Sequence, residues 1–350
     1  MEVTQPPAAS AVLCHLNQSS ALLRFKHRIS KFLSPGELSS WEGNGSDCCR
    51  WEGITCHSIT GFVIKLQIPE VTDGDIIGSI DPSLFELKQL QLLDLSYNGF
   101  NGSIPKGLVE LTRLTHLDLS YCRFTGQIPE QLLEMTWLIS LNLSRNDGGL
   151  QLQRPNFTAL VRGDMSMALV SSPSLQKLQT LTLSDCNISG PLVDSLDLQL
   201  QSLSNLDLGH NDLQRVPKFV ENLTSLTILK LSSCGLQGNF PWSIFLLPKL
   251  VILNVSDNVH LAVTLPPGNL TRSVNIRDLQ LASFKELSVG LLMPSKPPPQ
   301  PPIDLRANKM KEAIVSSCRS SRVSIRNSST NNPPGLIPEG LCSFRHLNYL

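Results

Sequence analysis

Three cysteines lie close together near the N-terminus, in the stretch SDCCRWEGITC that runs from Ser46 to Cys56. Thiols at this spacing could coordinate a metal ion, form a redox centre, or join as disulfides that lock a small structure. A zinc site would use Cys48, Cys49, Cys56 and His57. This set lacks the usual C-x(2–4)-C pair, which disfavours a metal site. The rest of the sequence has to decide between the remaining possibilities.

A second candidate for chemistry is a pair of carboxylates, Asp94 and Asp118, with His116 two residues before the second. On adjacent strands the two carboxylates would lie about 4.8 Å apart and could bind a metal ion or share a proton. Aspartate here belongs to a repeated LDLS core, however, which favours a structural role. The chain contains no G-x-S-x-G, H-E-x-x-H, Walker or protein-kinase motif. We therefore expect a non-catalytic protein without a metal or other cofactor.

The composition argues against binding by bulk charge. The 29 lysines and arginines balance 29 acidic residues, so no basic field exists to hold nucleic acid. No run of eighteen apolar residues occurs, and IFLLPKLVIL is interrupted by Pro248 and Lys249, so no membrane span is expected. The first residues, MEVTQPPAASAVLC, lack the basic start and apolar centre of a signal peptide.

A repeat of about 24 residues organises the chain. Leu95, Leu119 and Leu143 are 24 residues apart and close similar LxL segments. Further marker residues at comparable steps are Leu183, Leu208, Leu231 and Val255. One repeat cannot bury its leucines alone, so the pattern predicts an α/β leucine-rich repeat solenoid, a horseshoe or superhelix with short parallel strands on its concave face. The step from Leu143 to Leu183 is too long for one repeat, which predicts an irregular coil there.

Asparagine or cysteine stands three residues after each marker. These positions are Asn98, Cys122, Asn146, Cys186, Asn211, Cys234 and Asn258. We expect their side chains to face inward as a ladder that hydrogen-bonds the backbone of the turns, because buried backbone groups need partners. Cysteines separated by about two repeats cannot meet, so those in the ladder are expected to be structural thiols.

The remaining N-terminal cysteines are expected to build a cap. An even set of four allows three pairings of two disulfides: Cys14, Cys48, Cys49 and Cys56. A bridge between the adjacent Cys48 and Cys49 is disfavoured by geometry. The segment SSALLRFKHRIS predicts a short helix with Ala21, Leu22, Phe25 and Ile29 on one face. Clamped onto the first strand, with Trp41 and Trp51, this helix would cover the first leucine layer.

At this point the sequence resembles a known family. The segments CHLNQSSALLRFK, SSWEG and DCCRWEGITC, followed by repeats of the form LxxLxxLDLSxNxFxGxIP, are similar to the extracellular leucine-rich repeats of plant receptor-like proteins and receptor kinases. GLQLQRPNFTALV, residues 149–161, is similar to the irregular coil of disease-resistance receptor-like proteins of the wilt-resistance kind. The resemblance covers about Cys14 to Val255. It implies that the cap pairs as Cys14–Cys48 and Cys49–Cys56.

The same resemblance implies a longer parent, with a secretion signal, more repeats and a membrane span, so we expect the chain to be an N-terminal ectodomain fragment. The expected organisation is a disordered N-terminus at 1–13, the cysteine-rich cap at 14–60, plant-type repeats at 61–283 with the irregular coil at about 147–174, degenerate repeats with Pro-rich and Ser-rich segments at 284–334, and a truncated final repeat at 335–350. Cys318 and Cys342 have no evident partner in the sequence.

Recognition is the function that the sequence favours. The curved sheet is expected to present the following side chains on its concave surface: Tyr97, His116, Tyr121, Arg123, Arg145, Asp185, His210, Asp212 and Lys230. Tyrosine and arginine are common at binding hot spots. N-x-[ST] sites suggest a secreted glycoprotein and occur at Asn17, Asn44, Asn101, Asn142, Asn156, Asn187, Asn222, Asn254, Asn269 and Asn327.

The resemblance implies a receptor-like protein in plant defence or peptide signalling, on the extracellular face of the plasma membrane. Its ligand would be a protein or peptide, with pathogens as one source, and co-receptor kinases would be partners of the full-length parent. We expect no nucleic-acid partner. The alternative is a secreted inhibitor of a pathogen cell-wall hydrolase, similar to the polygalacturonase-inhibiting proteins, which share the cap and the repeats.

Overall fold

The computed structural model describes residues 13–29, 33, 36–43, 45–70, 78–133, 135–146, 150–151, 175–189, 200–265, 275–281, 283, 286–289 and 303–304. All structural statements concern these residues. Most of the predicted irregular coil and of the degenerate repeats, the truncated final repeat, and the cysteines Cys318 and Cys342 lie outside them.

Short strands dominate the described residues. In chain order they are β1 (Ile54–Cys56), β2 (Val63–Gln67), β3 (Leu92–Asp94), β4 (Asn101–Gly102), β5 (His116–Asp118), β6 (Arg123–Phe124), β7 (Gly126–Gln127), β8 (Ser140–Asn142), β9 (Leu150–Gln151), β10 (Thr180–Thr182), β11 (Asn205–Asp207), β12 (Ile228–Lys230), β13 (Gln237–Asn239), β14 (Ile252–Asn254), β15 (His260–Leu265), β16 (Asp278–Gln280), β17 (Glu286–Val289) and β18 (Ile303–Asp304). The α-helices are α1 (Leu16–Ile29) and α2 (Glu130–Leu133).

The main sheet contains β1 from the cap and then one strand from each described repeat, in the order β1-β2-β3-β5-β8-β10-β11-β12-β14-β16-β18. β1 and β2 are antiparallel, and the later pairs are parallel and in register, so that Leu93, Leu117 and Leu141 stand side by side. Side chains alternate across a strand, so the central leucine points into the core while its neighbours face outward. The predicted leucine-rich repeat solenoid is confirmed.

The opposite side of the solenoid is built from turns, small sheets and 3-10 helices. The small sheets are β4-β6, β7-β9 and β13-β15-β17. The 3-10 helices are Cys48–Arg50, Pro82–Glu86, Lys106–Glu110, Lys218–Asn222 and Trp242–Leu246. Pro105, Pro217 and Pro241 immediately precede three of these helices. A proline fixes φ and lacks an N–H that the helix start would leave unpaired, so the repeated proline position starts the helix.

Helix α1 covers the first leucine layer, as expected for a cap. Its predicted apolar face, Ala21, Leu22, Phe25 and Ile29, is buried. The ring of Phe25 stacks near Phe100, with 6.2 Å between the centroids. The Gln18 side chain accepts a hydrogen bond from the backbone N–H of Val63 at 2.8 Å, which ties the helix to β2.

Trp41 and Trp51 fill the space between the helix and the cysteine-rich turn. Both indoles are buried and stacked, with centroids 5.6 Å apart. Each buried indole N–H has an acceptor: Trp41 donates to the carbonyl of Glu52 at 2.8 Å and Trp51 to the hydroxyl of Ser46 at 2.9 Å. The tryptophans therefore bury a large apolar area without leaving a donor unpaired.

Candidate functional site

The four N-terminal cysteines are brought together beneath α1. Cys14 is bonded to Cys48 and Cys49 to Cys56, with 5.4 Å between the Cα atoms in each disulfide. All four sulfur atoms lie within 4.8 Å of one another, and this is the only cluster in the described part of the chain with the proximity that a metal site needs. Because each sulfur is in a disulfide, none is present as a thiolate. His57 accepts hydrogen bonds from the backbone of Ile59 and Thr60, both at 3.3 Å.

Three asparagines of the ladder, Asn146, Asn211 and Asn258, bridge consecutive repeats. Asn211 donates from Nδ2 to the carbonyls of Leu183 and Leu208, both at 2.8 Å. Its Oδ1 accepts from the backbone N–H groups of Cys186 at 3.2 Å and Ile188 at 3.0 Å. Asn258 makes the equivalent bonds to the repeat of Cys234. One amide therefore satisfies buried groups of its own turn and of the preceding turn.

The cysteines of the ladder alternate with the asparagines, and each thiol donates to a carbonyl of the preceding repeat. Cys122, Cys186 and Cys234 direct their thiols to the carbonyls of Leu95, Leu143 and Leu208, at 3.3, 3.0 and 3.1 Å. All three are free thiols. Burial raises the pKa of each to about 12. These thiols are therefore protonated and poorly nucleophilic near neutral pH.

The carboxylates Asp94 and Asp118 cap the turns that follow their strands. Oδ1 of Asp118 accepts from the backbone N–H and the hydroxyl of Ser120, at 2.9 and 2.6 Å, and Oδ2 accepts from the Asn142 amide at 2.9 Å. Asp94 binds Ser96 in the same way. The aspartate of the LDLS core thus has a structural role, because its short side chain accepts a hydrogen bond from a backbone N–H of the turn that follows the strand.

The residue two positions after each marker lies in a left-handed turn. The φ angles are 56° at Tyr97, 50° at Tyr121, 53° at Arg145, 54° at Asp185 and 55° at His210. The sequence predicts these side chains for the concave surface of the sheet; in the structure each lies three residues after the end of its strand, at the edge of the sheet. This turn rotates the next residue, asparagine or cysteine, into the core. Each turn residue also donates its N–H to the following repeat, as Tyr97 does to Ser120 at 3.1 Å.

Three side chains of this column of turn residues, those of Tyr97, Tyr121 and Arg145, form an exposed stack. Tyr97 and Tyr121 are parallel within 14°, with centroids 4.1 Å apart, and 47% and 39% of each residue is exposed. The guanidinium carbon of Arg145 lies 5.1 Å from the Tyr121 ring centroid, a cation–π contact. The pKa of the Tyr97 phenol is raised, first by its hydrogen bond with Tyr121 and also by the charges of Asp118 and Glu70.

The other candidates for the concave surface lie elsewhere. His116 is in β5, and Lys230 is in β12, where its ammonium pairs with Asp207 at 3.3 Å. Arg123 is in β6 and Asp212 forms an isolated bridge with Ser189, so neither is on the main sheet. Arg123 and Asp212 each lie four residues after a marker, beyond the left-handed turn, where the chain has turned away from the sheet. The position predicted for these two residues, on the concave surface of the sheet, is therefore wrong.

Sequence reasoning missed Glu70. β2 pairs with β3 so that Gln67 faces Asp94, and Glu70 follows three residues later, close enough to Tyr97 for its charge to raise the pKa of the Tyr97 phenol. The residue is exposed. The segment FVIKLQIPE carries the same spacing as the later repeats, with Ile68 at the marker position, so aligning it with them would have found the site.

The candidate glycosylation sites fall into two groups. Asn17, Asn187 and Asn222 are exposed, whereas Asn101, Asn142 and Asn254 are half-buried. Asn142 and Asn254 hold the turn serines Ser144 and Ser256 with their side-chain oxygens. Four further sites lie outside the described residues: Asn44, Asn156, Asn269 and Asn327. Modification of any of them stays a prediction.

Family models match the cap and parts of the repeat array. Residues 15–57 match a model described as leucine rich repeat N-terminal domain, and residues 70–124 and 177–198 match leucine rich repeat models. With the fold and the ladder, these matches define the chain as a leucine-rich repeat protein with a disulfide-linked N-terminal cap.

The curated relatives are plant receptor-like proteins. Receptor-like protein 6 of Arabidopsis thaliana is 30% identical over 289 residues, which cover 77% of this chain and 25% of that protein. Receptor-like protein EIX2 of Solanum lycopersicum is 42% identical over 96 residues, which cover 25% of this chain and 9% of that protein. The chain thus spans a quarter or less of these relatives' length. The resemblance to plant receptor-like proteins is confirmed.

Solved structures share the fold. The ectodomain of the Arabidopsis thaliana membrane receptor kinase GASSHO1/SCHENGEN3, in complex with CASPARIAN STRIP INTEGRITY FACTOR 2, has a TM-score of 0.56 and 21% identity, covering 95% of this chain and 41% of that one. The plant peptide hormone receptor RGFR1, in complex with RGF2, has a TM-score of 0.52 and 23% identity, covering 74% and 43%. None of the described helices combines the length and apolar character needed to cross a bilayer.

Proposed function

We propose that this chain is the ligand-recognition region of a plant cell-surface receptor-like protein and binds a protein or peptide through its concave side. The observation that carries the proposal is the exposed stack of Tyr97, Tyr121 and Arg145. A tyrosine in a left-handed turn is strained by about 1 kcal/mol or more, and this stack is not part of the buried core. Tyrosine and arginine are also the side chains most enriched at binding hot spots.

The similar proteins support a recognition role. The curated relatives are named receptor-like proteins. Two of the structures that share this fold are receptors in complex with a second factor, and one of them is a plant peptide hormone receptor. We extend the proposal to plant defence or peptide signalling at the extracellular face of the plasma membrane. Pathogen-derived proteins or peptides are one ligand class, and co-receptor kinases are partners of the full-length parent.

The proposal can be tested by comparing two faces of the protein. One variant replaces Tyr97, Tyr121 and Arg145 by alanine; the matched control replaces the exposed Lys88 and Lys106, on the side of the 3-10 helices, by alanine. The secreted proteins are immobilised and exposed to peptides from plant extracellular fluid and from fungal culture filtrate. Mass spectrometry then identifies what each protein retains.

We expect the wild type and the control to retain the same peptides and the stack variant to lose them. All three proteins should give the same circular dichroism spectrum, because no substituted side chain is part of the core. Loss of binding in the control, or equal retention by the stack variant, would contradict a concave binding face. Retention of intact cell-wall hydrolases, dependent on the stack, would favour the inhibitor function instead.

A further inference from the structure

The turn column has an asymmetry at its N-terminal end. Tyr121 is covered on both faces, by Tyr97 at 4.1 Å between centroids and by the Arg145 guanidinium at 5.1 Å. Tyr97 is covered on one face only: among the described residues, no second ring or cationic group lies on its other face. That open face points away from Tyr121, toward the preceding repeat, which contains Glu70 three residues after the end of β2.

The electrostatic surroundings of this open face are negative. Glu70 is exposed, and its charge and that of Asp118 both raise the pKa of the Tyr97 phenol. The face of an aromatic ring is itself the negative end of a quadrupole.

From this geometry we propose that the open face of Tyr97, together with the Glu70 carboxylate, binds a cationic side chain of the ligand, an arginine guanidinium above all. The inference rests on the proposed function for its biological meaning, since it names the chemistry of the ligand. The same stack already holds one guanidinium, that of Arg145, at its other end. The site therefore repeats at the ligand interface a contact that the protein makes internally.

Arginine fits this site better than the alternatives. Its planar guanidinium can lie on the ring while its edge donates two hydrogen bonds to a carboxylate, which a compact ammonium cannot do. An acidic ligand, including an oligogalacturonide, would be repelled by Glu70 and Asp118. A neutral sugar could stack on the tyrosine but would gain nothing from Glu70 being charged.

The chain offers a direct probe because it contains three tyrosines, and two of them form the stack. With ring-labelled tyrosine, the NMR signals of Tyr97 and Tyr121 report on the site, and Tyr349 serves as an internal reference. The full chain is titrated with the peptide acetyl-Gly-Gly-Arg-Gly-Gly-amide. The matched control peptide carries citrulline, a neutral isostere of arginine. Cellohexaose is the neutral-sugar control.

We expect saturable shifts of the Tyr97 and Tyr121 signals with the arginine peptide and weaker, non-saturating shifts with citrulline. Glu70→Gln should weaken binding of the arginine peptide by about two- to fivefold, and added salt should weaken this binding further. Tyr97→Phe should keep the binding, because the ring face remains, whereas Tyr97→Leu should abolish the response of Tyr121.

Equal binding of the citrulline peptide, or stronger shifts with cellohexaose, would overturn the cationic site. These outcomes are separable from failure of the proposed function. If natural ligands depend on Tyr97 but arginine and citrulline are not distinguished, the inference falls and the proposed function stands. If the arginine peptide binds but natural ligands ignore the stack, the concave binding face falls and the cationic site stands.

Discussion

Replacing Asn211 by alanine should destabilise the protein far more than the same replacement at Asn98. Asn211 donates from Nδ2 to backbone carbonyls and accepts with Oδ1 from the N–H groups of Cys186 and Ile188, so alanine leaves two buried donors unpaired. Asn98 also donates to carbonyls, of Leu95 and Ser96, but its Oδ1 has no partner in the described structure. Comparing the stability losses of the two variants therefore isolates the contribution of the acceptor oxygen.

The expected loss of stability follows from the two backbone N–H groups, of Cys186 and Ile188, that lose their acceptor. A buried donor without a partner costs about 1–3 kcal/mol, so Asn211→Ala should lose about 2–6 kcal/mol more than Asn98→Ala. With a urea m-value of about 3 kcal/mol per M, the midpoint should fall by about 0.7–2 M relative to the control. Cavity terms are similar in the two variants and largely cancel.

Hydrogen exchange measured by mass spectrometry locates the effect. In Asn211→Ala the amides of Cys186 and Ile188 should lose their protection, whereas protection around Leu231 changes less. Because a solenoid can unfold in parts, this local readout is more secure than a global midpoint. Equal destabilisation by the two variants, or unchanged protection at Cys186 and Ile188, would refute the role assigned to the acceptor oxygen.

Four further predictions concern the ladder, the cap and the turns. Burial raises the pKa of the ladder thiols from 9.0 to about 12, so their thiolate fraction at pH 8 is about a thousandfold below that of an exposed cysteine. Iodoacetamide should therefore label them only after denaturation. Rapid labelling of the native protein would contradict this prediction. The contribution of these thiols to stability is complete below pH 9 and is lost as the pH rises toward 12, so alkali should lower the unfolding temperature. Serine replacement of Cys14 and Cys48 should lower the free energy of unfolding by about 3.8 kcal/mol, and that of Cys49 and Cys56 by about 2.5 kcal/mol, because the first disulfide closes the longer loop. Thermal unfolding measures both losses. The reverse order would argue against loop closure as the cause. In the same assay, Asp118→Ala should lower the free energy of unfolding by about 1–2 kcal/mol. Asp118→Asn should lower it less, because it keeps the acceptor for Ser120. Equal losses would show that the turn does not need that acceptor.

Several features could be predicted from the sequence because they depend on local periodicity. The leucines repeat at a fixed step, and burying them requires stacked strands, so the solenoid follows from the pattern alone. The inward position of Asn211 and Cys234 follows from the need of the turn backbone for partners. The apolar face of α1 follows from the helical spacing of Leu22, Phe25 and Ile29.

The candidate site was harder to predict because it depends on one dihedral angle. Tyrosine rarely adopts positive φ, so nothing in SYN or SYC indicates that Tyr97 and Tyr121 leave the strand. The same bend carries Arg123 onto β6, away from the main sheet. Local propensity is overridden here by the tertiary requirement to bring Asn98 and Cys122 inward.

That requirement links stability and recognition within a single turn. The left-handed residue bends the chain so that its successor reaches the core, and its own side chain is thereby kept out of it. Selection on the core thus acts on the asparagine or cysteine and leaves the preceding side chain free to vary. The column accordingly carries different chemistry from repeat to repeat, in the order Tyr97, Tyr121, Arg145, Asp185, His210, Ser233 and Asp257. A change of ligand specificity along this column should therefore cost the solenoid little stability.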